Sequence, residues 1–187
     1  MSPRARRSED PILATTVELI ATHGVSGVAV DTVAARAGVS KATIYRHWGS
    51  RARLIHAAIS SLQQPFVEPD TGSLREDLTV LLRQLVGYLQ RPDTGRILPS
   101  FMEAAARDPE LAELRQETIR EAHAVYARVI GRGVDRGELP AGVDVRLVTD
   151  LAMAPFIYRR FVDQPLDVAD IDPLVDAVLA AFGRVPT

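Results

Sequence analysis

The chain has 187 residues, no cysteine and a formal net charge of −2, with 47% apolar and 25% charged residues. That is the composition expected of a water-soluble globular protein, long enough for one domain or two small ones. It excludes disulfides and cysteine-ligated metal, and no apolar run approaches the roughly 18 residues that a membrane span needs.

The charge is unevenly placed. Of the 22 Arg and Lys residues, eight lie within the first 53 positions, against four of the 24 Asp and Glu. A basic head on an acidic body is the asymmetry expected when one end of a molecule meets phosphate.

Residues 1–9 carry Arg4, Arg6 and Arg7 and read as a flexible basic arm; no apolar segment of export-signal type follows it. Asp10-Pro11 supplies an N-cap and a proline at the first helical position, with Leu13, Val17 and Ile20 as the buried stripe and Gly24 as the stop. Val30, Val33, Ala34 and Ala37 then fall on one face of a short helix closed by Gly38. Ser40 is placed to cap the next helix, in which Ile44 and Trp48 face inward. Lys41, Thr43, Arg46 and His47 point out, with Tyr45 between the two faces. Two short helices of this kind, joined by a tight turn, have the layout of a DNA-reading helix-turn-helix.

Ser50 is expected to cap a connecting helix through Leu54, Ala58 and Leu62, and the segment Pro65 to Gly72 reads as a loop and domain boundary. Ser73 and Glu76 have capping-box spacing ahead of an inner face of Leu74, Leu78, Leu81, Leu85 and Leu89. Ile97, Leu98, Phe101, Met102 and Ala105 mark the next helix. A long one opens at Asp108-Pro109 and ends near Gly131 to Gly137. The last two start at Asp144, with a kink expected at Pro155, and at Asp172-Pro173. No segment alternates as a strand would, so the fold class is all-α with about nine helices. The helix after Asp144 is apolar on more than one side (Leu147, Leu151, Phe156, Tyr158, Phe161), which calls for a second partner surface.

The run Ala34-x-x-Ala37-Gly38-Val39-Ser40, followed by Thr43-Ile44-Tyr45-x-His47-Trp48-x-Ser50-Arg51-x-x-Leu54, resembles the N-terminal domain of the tetracycline-repressor (TetR) family of bacterial transcription regulators. Trp48 stands where that family usually has Phe, and Arg51 where it usually has Lys. The resemblance implies a three-helix helix-turn-helix DNA-binding domain over 10–49, a connecting helix over 50–64 acting as a lever, and an effector-binding and dimerisation domain over 65–187.

It places Ser40 and the base contacts of Lys41, Ala42 and Thr43 in the major groove. Phosphate contacts fall to Tyr45, His47 and Arg51, and Thr32 offers a further phosphate contact. The basic arm either follows DNA or is a solvated tail. By the same resemblance the partners are a palindromic double-stranded operator, a second copy of the chain and a small effector; the candidate pocket walls suit an apolar or aromatic one, and no membrane partner is expected. Leu85, Tyr88, Phe101, Met102, His123, Tyr126 and Tyr158 are candidate pocket walls, unless they are ordinary core. Leu151, Phe156, Phe161, Val175, Leu179 and Phe182 are candidates for the dimer interface. The expected setting is the cytoplasm, with the protein on the bacterial nucleoid when in use.

Against an enzyme, the four histidines (His23, His47, His56, His123) are scattered without metal-ligand spacing, and there is no phosphate-binding glycine loop or Gly-x-Ser-x-Gly nucleophile. No cofactor or metal is expected. The alternative reading is a helical ligand-binding or interaction module whose head no longer reads DNA.

Overall fold

The computed structural model describes residues 3–62, 67–92 and 94–183, with side chains from Pro11 onward. The described residues form nine α-helices, one 3-10 turn (Val168–Asp170) and no strand. They are α1 (Pro3–His23), α2 (Val30–Ala37), α3 (Lys41–Trp48), α4 (Arg51–Ser60), α5 (Leu74–Leu89), α6 (Thr94–Ala105), α7 (Pro109–Asp135), α8 (Val145–Phe161) and α9 (Ile171–Phe182).

The first helix departs from the sequence reading. It begins at Pro3, not at Asp10-Pro11, and Pro11 lies inside it. Pro11 has no N–H to give the preceding turn, a loss that packing further along the helix must offset. The side chains of the basic arm lie outside the described residues.

Packing divides the chain into two units, residues 1–64 with 92–117, and residues 65–91 with 118–187. This differs from a single cut at residue 65, because α6 and the start of α7 return to the first unit. Local sequence signals mark where helices stop; they do not say which core the next helix joins.

In the first unit α1 packs on α2, α4 and α6, and α3 packs on α2 and α4. Leu19, Ile20, Val33, Ile44, Leu54, Ile55, Ile97 and Phe101 share one buried core, with Val39 and Trp48 partly buried against it. Burying side chains of this size stabilises by about 1.5–3 kcal/mol each. Thr16, a fully buried polar side chain of α1, donates its hydroxyl to the Ile12 carbonyl at 2.7 Å.

In the second unit α5 packs against α8 and α9, which also pack on each other. The capping box read at Ser73 is half-formed. The Ser73 hydroxyl accepts the Glu76 N–H at 3.5 Å, while the Ser73 N–H goes to the Thr71 hydroxyl. The Leu74 N–H is taken by the Glu138 carboxylate at 2.8 Å.

The approach to α5 is clamped by arginines of α7. Arg128 and Arg132 hold Glu68, and their hydrogen bonds keep its carboxyl below the ordinary range. Beside them, Arg136 pairs with Glu138 at 2.7 Å and lies 3.5 Å from the fully buried Asp77. Asp77 also accepts the Thr71 N–H and hydroxyl. On the other side of α5, Arg75 pairs with Asp176 of α9 at 2.8 Å. Finally, α8 is capped by Asp144 and continues as helix through Pro155.

Candidate nucleic-acid interface

Helix α3 is built by two caps and a core plug. At the end of α2, Gly38 takes φ 66°, and the N–H groups of Gly38 and Val39 both close on the Ala34 carbonyl. Ser40 then opens α3, its hydroxyl accepting the Thr43 N–H at 3.1 Å and lying 2.9 Å from the Thr43 hydroxyl. Ile44 is wholly buried, which fixes the rotation of α3 about its axis. Lys41, Ala42, Tyr45, Arg46 and His47 consequently lie on the exposed side, while Thr43 is half-buried. The His47 and Trp48 ring centroids are 5.6 Å apart.

Thr32 is exposed in the first turn of α2, next to Asp31. Asp31 holds the Lys41 ammonium at 2.8 Å. That hydrogen bond, reinforced by the carboxylate charge, raises the lysine's pKa above its ordinary value. Arg36 and Arg46 add exposed positive charge to the same two helices.

Arg51, expected at a phosphate, has partners within the head as well. Its Nε donates to the Val28 carbonyl at 2.7 Å, and its terminal nitrogen donates to the carbonyls of Val25 and Ser26. Using its Nε and one terminal nitrogen on backbone carbonyls, the guanidinium clamps the α1–α2 turn with three of its five N–H donors. The same turn is held from α6, where the Ser100 hydroxyl accepts the Val25 N–H at 2.6 Å.

At the start of α4, Ser50 accepts the Arg53 N–H and donates its own proton to Glu110 of α7 at 2.9 Å. Neither Glu110 nor Asp31 carries a pattern that sequence reasoning could use. One pairs across sixty positions and the other across a turn that sequence alone does not fold.

The candidate pocket residues are split between the units. Phe101 is buried in the core of the first unit, and Met102 is exposed there with its sulfur accepting from Arg115 at 3.0 Å. In the second unit Leu85 and Tyr126 are buried, Tyr88 and His123 half-buried, and Tyr158 is 63% exposed. His123 lies 3.9 Å from Asp150. The Tyr126 hydroxyl is buried with no partner among the described residues, and burial pushes its pKa upward.

The candidate interface residues divide as well. Phe156 and Val175 are buried within their own unit, and Leu179 and Phe182 are half-buried. Leu147, Leu151, Tyr158, Phe161 and Val162 form an exposed apolar stripe along α8. Its spacing was visible in the sequence; which of several apolar faces would be covered was not.

Comparison with known proteins decides the family. Residues 12–58 match the profile for bacterial regulatory proteins of the tetR family, and residues 68–178 match the tetracyclin repressor-like C-terminal domain. The chain belongs to the TetR family. It is 33% identical to a DNA-binding transcriptional repressor TetR of Mycobacteroides abscessus, over 98% of both chains. To the uncharacterised HTH-type regulator YdeS of Bacillus subtilis it is 30% identical, over 98% of this chain and 92% of that one. Among solved structures, the TetR-family transcription regulator SCO0332 shares 30% identity with a TM-score of 0.70, covering 96% of this chain and 99% of that one.

The protein is therefore a DNA-binding transcriptional regulator and not an enzyme. The relatives named above are transcriptional regulators, and the helix-turn-helix sits inside the matched N-terminal segment. In this TetR-family chain the C-terminal profile spans 92–117, although those residues pack with the head unit. No helix among the described residues is long and apolar enough to cross a membrane.

Proposed function

We propose that this TetR-family regulator is a repressor that binds a palindromic operator as a homodimer and is released by a small apolar or aromatic effector. The observation that carries the DNA reading is the exposed donor set on α3, with Lys41, Tyr45, Arg46 and His47 outside and Ile44 buried behind them. Such a helix enters the major groove, and a twofold pair reads half-sites about 34–36 Å apart or a multiple of that. Thr32, Tyr45 and His47 serve phosphates; Lys41, Ala42 and Thr43 serve base edges. Arg51 supports this surface from behind through its hold on the Val25–Val28 turn.

The homodimer is supported by the uncovered stripe from Leu147 to Val162, since a soluble helix with such a face gains by burying it against its own copy. The effector is supported by Tyr126, whose buried hydroxyl is left for a ligand to satisfy, and Leu85 is an apolar side chain buried in the same unit. Release requires the effector to bind one arrangement of the two heads more tightly than another. The protein works in the cytoplasm, on the nucleoid.

The test is selection of a randomised duplex library on the purified protein at about 150 mM salt, without added ligand. An enriched palindrome supports the reading and gives the half-site spacing. Weak, salt-sensitive binding with no enriched sequence would sink it in favour of a head that does not read DNA unaided.

A further inference from the structure

We infer that Asp31 is a specificity-determining residue, positioning Lys41 for a base edge and masking its charge from the DNA backbone. The inference rests on the reading of α3 as the major-groove helix and assigns a role to a residue that does not lie on that helix.

Lys41 is the only lysine in the chain and the first residue of α3. A lysine on a free four-carbon stem is a mobile point charge, equally suited to any phosphate within reach. Here it is not free. Its ammonium lies 2.8 Å from the Asp31 carboxylate, which stands in the first turn of α2. Both side chains are largely exposed, at 51% and 74%, so the pair itself adds little to stability. Its consequences lie at the surface that meets DNA.

Three follow from elementary chemistry. First, the paired ammonium and carboxylate sum to zero charge, so beyond a few ångströms Lys41 no longer draws the protein to phosphate. Exposed Arg36 and Arg46 keep that task. Second, an ammonium has three N–H donors. Asp31 takes one, and two remain for the adjacent acceptors O6 and N7 of a guanine. Third, a carboxylate repels a phosphate that approaches the same spot. A base edge carries no net charge and is not repelled. The lysine is thereby held ready in one region of space, and less rotamer freedom is lost on binding.

Asp31 also lies in a helix first turn whose N-cap, Ala29, offers no side-chain hydrogen bond. A purely structural role would therefore be to complement the α2 dipole. That role and the one inferred here give different results on substitution.

The experiment compares the full-length wild type with Asp31→Asn, Asp31→Glu, Lys41→Ala and the Asp31→Asn/Lys41→Ala double variant. Each is put through randomised-duplex selection, and its binding to a scrambled duplex is titrated with salt. Asp31→Asn is expected to lose selectivity at the same symmetric base pair that Lys41→Ala loses, by about five- to tenfold. It should also bind scrambled DNA more tightly, with a salt slope steeper by about 0.9 per subunit as the released lysine picks up a phosphate. Asp31→Glu should keep the wild-type selectivity, and in the Lys41→Ala background Asp31→Asn should leave selectivity unchanged, relieving only the carboxylate's repulsion of phosphate.

Unchanged selectivity in Asp31→Asn, with only a lower Tm, would overturn the inference and leave the helix-dipole role. A change in selectivity that persists without Lys41 would also overturn it, because Asp31 would then be reading a base itself. If the wild type enriches no sequence, the major-groove reading fails first and this inference with it.

Discussion

The Arg51 guanidinium donates to the Val28 carbonyl oxygen at 2.7 Å and reaches the carbonyls of Val25 and Ser26. A residue at the entrance of α4 thus fixes the turn between α1 and α2. Arg51→Ala should lower the stability of the protein by about 1–3 kcal/mol, since hydrogen bonds to a charged group are lost and carbonyls are left unmet. Arg51→Lys should recover only part of this, because an ammonium lacks the planar fork. The salt slope of operator binding separates this clamp from a phosphate contact. The clamp predicts an unchanged slope in Arg51→Ala, and a fall of about 0.9 per subunit would show that Arg51 neutralises a phosphate.

Gly38 makes a second prediction in which shape is not at issue. Nothing beyond its adjoining residues lies within 4 Å of where its Cβ would stand, so an alanine methyl there meets no obstacle. The cost of Gly38→Ala comes from φ 66° alone and should be about 1–2 kcal/mol. Asn, which tolerates the left-handed region better, should cost less. Thermal or urea unfolding of the two variants checks the order, and equal losses would mean that the turn relaxes to another conformation.

The head was legible because its signals are local. Gly38, Ser40 and Ser50 each dictate a stop or a cap within four residues of themselves, and Ile44 and Trp48 set the inner face by spacing alone. Legibility failed where a residue's role is decided by a distant partner. Arg51 has the sequence position of a phosphate ligand, and its hold on carbonyls more than twenty residues upstream carries no sequence signal. Phe101 and Met102 sit in a helix that reads like any other in the second half of the chain, yet it packs with the first unit. Pro11 looked like a helix start because proline is favoured there; only the continuation of the backbone upstream of it shows otherwise.

A third prediction concerns the uncovered stripe on α8. Leu151 and Tyr158 are 44% and 63% exposed, so charged replacements at both positions leave the unit's own core intact. The Leu151→Glu/Tyr158→Glu variant should keep wild-type helix content and sediment as a monomer. Its operator affinity should fall by about a hundredfold or more, because the second half-site is no longer bound by a linked head. An unaltered sedimentation coefficient with intact operator binding would place any dimer contact elsewhere.

Tyr126 supplies the last prediction, and its sign is unusual for a core substitution. The side chain is 1% exposed and its hydroxyl has no partner among the described residues. An unpartnered buried hydroxyl costs about 1–3 kcal/mol, whereas the ring itself is well placed. Tyr126→Phe should therefore raise the Tm of the ligand-free protein, by about 2–4 °C for each kcal/mol recovered in a chain of this size. The same substitution should weaken the response to an effector identified by screening against the operator complex, since the group that a ligand would satisfy is gone. A lower Tm in Tyr126→Phe would mean that the hydroxyl already has a partner in solution, and would remove Tyr126 as the polar anchor of the effector site.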